Sequence, residues 1–136
     1  MTQEEKQLLL KDISARLPYK VKLGFENSDL ILVPEEFNIY TKQLSANQIY
    51  PKVNRAVIKH IYDVWNYRPY LRPMSSMTED EKEEYRNECN KVLSMPFKIN
   101  GPYPIVDWLN SHHFDHRGLI EKRLALEAPK GMYKTE

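Results

Sequence analysis

Two apolar periods run through this sequence, and prolines separate one from the other. Leu9, Ile13 and Leu17 recur every fourth residue, with Leu10 beside them. That is the spacing of a helix with one apolar face. Thr2 and Glu5 have capping-box spacing, so a helix over 3–16 is expected, stopped by Pro18. The period then changes. Tyr19, Val21, Leu23 and Phe25 alternate with Lys20 and Lys22, which predicts a half-buried strand over 19–25. Residues 26–29 have turn composition, Leu30–Val33 reads as a second strand ended by Pro34, and Phe37–Tyr40 alternates again. The simple interpretation is a three-stranded antiparallel meander.

The four-residue spacing returns at Val53, Val57, Ile61 and Trp65, with Ser45 and Gln48 again at capping-box distance. A helix over 48–65 is expected, with Pro51 tolerated in its first turn. Pro69 and Pro73 mark the stretch between Tyr67 and Met74 as a stiff loop. Thr78 and Glu81 predict a third capped helix, over 79–92, burying Tyr85, Cys89, Val92 and Leu93. Residues 95–99 suit a short edge strand and 100–102 a turn. After Pro104, Ile105, Trp108, Leu109 and His112 share one face of a helix running to about 113. Residues 119–128 read equally as strand or helix, and 129–136 as a loose tail. The expected fold is a single α+β domain over 1–136, with a small antiparallel sheet of about three to four strands packed against about four helices.

Composition excludes several classes. At 136 residues with 41% hydrophobic and 29% charged positions, the chain is a globular domain able to close its own core. A formal net charge of +1 gives no global pull toward nucleic acid or an anionic membrane. Cys89 is the sole cysteine, so no intramolecular disulfide can form, and a reducing, cytoplasmic setting is expected. No signal peptide and no apolar run near ~20 residues is present, so no membrane association is expected.

Two clusters carry chemistry. His112, His113, Asp115 and His116 stand together, and on a continuing helix His112 and His116 would share a face at i, i+4, the spacing at which two imidazoles chelate a metal. Against this, Gly118 ends the helix early, and His60 is the one other histidine. Capping and packing account for the cluster more simply, and no cofactor is expected. A metal-assisted hydrolase or nuclease built on His112, His113 and Asp115 is the catalytic alternative. The second cluster is basic: Lys52, Arg55, Lys59, Arg68 and Arg72 stand against the single acid Asp63, interleaved with Tyr62, Trp65, Tyr67 and Tyr70. The plainest reading is a solvated helix face whose aromatics point inward; arginine beside aromatics also suits a protein–protein hot spot, and less well a stacking surface for single-stranded nucleic acid.

The segments PYLRPMSSMTEDE (69–81), WLNSHHFDHRGLIEKRLALEAPKGMY (108–133) and QLLLKDISARLPYKVK (7–22) resemble a family of short uncharacterised proteins of gut Bacteroidales and their phages or prophages. They cover a little under half of the chain. Members of that family often have tyrosine where this chain has His116, which speaks against a role for His116. The resemblance implies an accessory protein of a phage or mobile element and no particular chemistry. The function expected is therefore binding of an unidentified protein partner, through Lys52, Arg55, Lys59, Tyr67, Arg68, Tyr70 and Arg72, without catalysis.

Overall fold

The computed structural model describes residues 1–53, 56–93 and 103–133, the last stretch without the side chains of Tyr103 and Pro104. It is α+β, and the sheet is larger than expected. Helix α1 spans Gln3–Arg16, followed by strands β1 (Leu23–Gly24), β2 (Ile31–Asn38), β3 (Gln43–Tyr50), β4 (Lys59–Asp63) and β5 (Arg68–Leu71), helices α2 (Glu79–Leu93) and α3 (Tyr103–Ser111), and strand β6 (Leu126–Glu127). Among the described residues there are thus three α-helices rather than about four, and one six-stranded sheet in the order β4-β3-β2-β1-β5-β6. The strands pair antiparallel except β6, which runs parallel to β5.

Helix α1 starts where its cap dictates. Thr2 Oγ1 accepts the Glu5 N–H at 3.1 Å, and Glu5 Oε1 accepts the Thr2 N–H at 2.9 Å. Leu9 and Ile13 are fully buried and join Val21, Leu23, Leu32, Leu44, Val64, Tyr67, Leu71 and Leu119 in one core. Glu81 and Thr78 repeat the cap at α2, at 2.9 and 3.2 Å. Leu93, expected in the core, is instead 83% exposed, and α2 meets α3 through Tyr85 and Trp108, whose rings lie 5.6 Å apart.

The expected helix over 48–65 does not form. Among its described residues, 48–50 end β3, 59–63 form β4 and 64–65 open the 3₁₀ turn Val64–Asn66, with the rest of the described stretch in the connection between β3 and β4. The reason is arithmetic: a spacing of four is even, so it places residues on one face of a strand as well as of a helix. The β-branched and aromatic content of 57–62 decides for the strand. The meander also changes shape. β1 keeps two residues of the expected 19–25, and β2 runs through Pro34, absorbing both segments expected on either side of it. Pro34 sits opposite Ala46, and the register shifts between Pro34 and Glu36. A bulge of this kind is where a sheet interior accepts proline.

The stretch expected as a stiff loop before Met74 is strand β5, continued by a bridge between Arg72 and Phe114. Residues 119–128 resolve into turns and then β6. The expected loose tail is anchored as far as Tyr133, whose hydroxyl accepts the Lys22 N–H at 2.7 Å and donates to the Tyr70 carbonyl at 2.8 Å. The edge strand expected at 95–99 and the turn at 100–102 lie outside the described residues.

Candidate interaction surface

The histidine cluster is taken apart by the end of α3. His113 adopts φ 63, a left-handed conformation that ends helices. Phe114 N–H bonds back to the Leu109 carbonyl at 2.9 Å, and His113 N–H to the Asn110 carbonyl at 3.0 Å, the paired bonds of a Schellman motif. The chain reverses there, so His112 and His116 share no helical face. His112 stacks on Trp108 at 4.2 Å, His113 stacks on Tyr133 at 3.7 Å, and His116 Nε2 meets Asn110 Oδ1 at 2.9 Å. Asp115 accepts the backbone N–H groups of Leu119 and Ile120, at 2.8 and 3.0 Å. Among the described residues, no three His, Cys, Asp or Glu side chains are placed to hold a metal ion.

The corner has a structural task that the sequence did not reveal. Asp12 and Arg16 of α1 are both fully buried and paired at 2.9 Å. Arg117 Nη1 reaches Asp12 Oδ1 at 2.7 Å, and Arg16 Nη2 donates to the Phe114 carbonyl at 2.7 Å. The 112–117 segment thus supplies the partners that make a buried ion pair tolerable. Burial, then the Arg16 charge, pushes His113 down to about 4; burial, then Arg117, does the same to His116.

Beside this corner lies a cleft of about 670 Å³, lined by Lys22, Asp80, Glu84, His112, His113 and Tyr133. Its groups are engaged with one another. Lys22 Nζ donates to the Met132 carbonyl at 2.8 Å, and Glu81 receives Arg72 through both oxygens at 2.7 Å. Ser111 Oγ lies 3.1 Å from His112 Nδ1, a contact no sequence pattern suggested. Both, however, point at the Trp108 carbonyl, at 2.8 and 2.9 Å. A carbonyl only accepts, so Nδ1 carries a proton and is no base toward that hydroxyl.

The basic and aromatic set expected to bind a partner does not form one surface. Tyr67 is fully buried; its hydroxyl donates to the Leu44 carbonyl at 2.6 Å, and burial pushes it up to about 12. Arg68 Nη1 is held by the carbonyls of Trp65 and Tyr67, at 2.6 and 2.9 Å. The Tyr70 ring lies against Gly24, and Arg72 is held by Glu81. Lys59 pairs with Glu35 at 3.1 Å, Lys52 is exposed, and Arg55 lies outside the described residues. Among the described residues of this set, the two arginines that a nucleic-acid surface would need, Arg68 and Arg72, are occupied.

What is exposed is apolar, and it sits elsewhere. Nine of the twelve exposed large hydrophobic side chains among the described residues fall between Ile39 and Tyr62, around the β3–β4 hairpin at one rim of the sheet. Val57 is 77% and Ile61 56% exposed. Scattered singly, such residues need no explanation; here they are concentrated around one hairpin. The backbone there is open too. Gln48 N–H bonds to the Ile58 carbonyl and Val64 N–H to the Lys42 carbonyl, both at 2.8 Å. Antiparallel pairing alternates, so Ile58, His60, Tyr62 and Val64 turn their peptide groups toward β3. Lys59, Ile61 and Asp63 turn theirs outward, along the free side of β4. The sequence named the apolar residues of this hairpin but placed them on the inward stripe of a helix.

No helix among the described residues is long and apolar enough to cross a membrane. No family model, curated protein or solved structure matches the chain.

Proposed function

We propose that the protein is a small protein-interaction module, of the accessory type implied by the resemblance to phage and prophage proteins, and that it docks another polypeptide along the β3–β4 rim. The observation that carries this reading is the coincidence of exposed Val57, Ile58, Ile61 and Tyr62 with an outward-facing row of peptide groups on β4. A polypeptide strand laid beside β4 gains main-chain hydrogen bonds from the edge and apolar contacts from the side chains, the mode called strand addition. The Lys59–Glu35 pair, at 3.1 Å, adds a polar register mark on the face that carries Ile61.

A photo-activatable amino acid placed at Ile61 or Val57 tests the proposal in cells, with one at exposed Glu83 of α2 as control. Cross-linking to a polypeptide at the rim positions and not at Glu83 is expected. Equal yields at all three positions, or none at the rim, would remove it.

A further inference from the structure

The free side of β4 matches a second copy of itself. Residues 59–63 read Lys-His-Ile-Tyr-Asp, and that run is its own complement when turned antiparallel about its centre. We infer that two copies of this chain associate through β4, strand against strand, with Ile61 on a two-fold axis and Lys59 of each copy facing Asp63 of the other. The inference rests on the rim reading above and names its partner.

Backbone phase, charge and apolarity agree on this register. The residues whose peptide groups face outward are Lys59, Ile61 and Asp63, so all three fall at hydrogen-bonding positions when Ile61 meets Ile61. Any register displaced by one residue would set outward groups against groups already turned to β3. The same three side chains share the outer face of the sheet, opposite Asn47, Ser45 and Gln43 on β3. Each end of the new ladder then carries one lysine–aspartate pair, and its centre an isoleucine pair, a combination that stabilises cross-strand contacts. Asp63 is available for this: it makes no side-chain cap bond to the turn that follows, and it enters no ion pair among the described residues. Lys59 would lie between Glu35 of its own copy and Asp63 of the other. On the inner face, His60 of one copy stands opposite Tyr62 of the other at the closer, non-hydrogen-bonded spacing, where ring pairs pack well. A symmetric, self-complementary patch is what an isologous two-fold contact requires, and the union removes the open edge from both copies.

Sedimentation velocity across a wide concentration range, on wild type and four variants, is the test. Wild type is expected to dimerise at micromolar concentrations. Lys59→Asp and Asp63→Lys each set like charges face to face at both ends, and each should weaken association about tenfold or more. The double reversal restores opposite charges and should recover dimerisation. Ile61→Lys brings two lysines together on the axis and should give monomers. All three positions are on the outer face, and thermal melting checks that each variant keeps its fold. A wild type that stays monomeric, a dimer indifferent to all four variants, or loss in the single reversals without recovery in the double would overturn the inference. A monomer that still cross-links a foreign polypeptide at Ile61 would overturn the second copy alone and leave the rim reading standing; a monomer with no cross-link would remove both.

Discussion

The Asp12–Arg16 pair is the most consequential pair of residues in the molecule. Both are fully buried, and Arg16 Nη1 has no hydrogen-bond partner among the described residues. Removing the Asp12 charge leaves Arg16 as an uncompensated interior charge and takes the partner from Arg117 as well. Asp12→Asn is therefore expected to lower stability by about 3–5 kcal/mol in urea unfolding, whereas replacing Asp12, Arg16 and Arg117 together with apolar residues of similar volume should cost less than that single change. Titrating residues give a second expectation. His113 and His116 fold as neutral rings, each held at about 4 by burial and a nearby arginine. Below their unfolded value near 6.5 the unfolded chain binds protons that the folded one does not, so stability falls as pH drops from about 6.5 to 4. Glu81 behaves oppositely in origin. Burial alone would raise it, but Arg72 and Thr78 prevail and hold its carboxyl at about 2. Its contribution is complete above about 4.5 and is lost as pH falls toward 2. Melting curves against pH should show both limbs, the upper flattened by His113→Asn with His116→Asn and the lower by Glu81→Gln.

At the scale of elements, β1 shows how little chain can join two halves of a sheet. Leu23 pairs with Leu32 of β2 on one side, and Leu23 and Gly24 pair with Pro69 and Arg68 of β5 on the other. A Cβ on Gly24 would come within 2.8 Å of Tyr70 Cε2 and 3.1 Å of Leu126 Cδ1. Gly24→Ala must displace side chains of β5 and β6 together and should cost about 1–3 kcal/mol in equilibrium unfolding. The elements also show what could be read in advance. α1, α2 and α3 were legible because caps and periods agreed: Thr2 with Glu5, Thr78 with Glu81, Pro104 with the Ile105–Trp108–Leu109 stripe. β3 and β4 were not, because Val53, Val57, Ile61 and Trp65 fit either period and Ser45 with Gln48 imitated a cap. The outward direction of Val57 and Ile61 was beyond the sequence altogether. Periodicity says which residues share a face, but not whether anything covers that face. The histidine corner was half legible: a packing and capping role was foreseen, but not that the segment's carbonyl and Arg117 serve a charge pair about a hundred residues earlier.

Across the whole molecule, residues 129–133 tie the chain shut. Tyr133 bonds to β5 at Tyr70 and to Lys22 just before β1, and covers one face of His113. Burial raises the Tyr133 hydroxyl above its ordinary range, so it stays a protonated donor at neutral pH. Tyr133→Phe strands one donor and one acceptor and should cost about 1–3 kcal/mol. Truncation after Ala128 should cost more and, by wetting His113, return its titration toward 6.5, which nuclear magnetic resonance of the ring protons can follow. The sheet's two borders are finished in different ways. One is covered by β6, lying parallel to β5 and made some fifty residues after it. Both borders are therefore bare until β6 is made; among the described residues the outer side of β4 stays unpaired afterwards, so in the proposed dimer the arrival of a second copy, which depends on concentration, is what closes it.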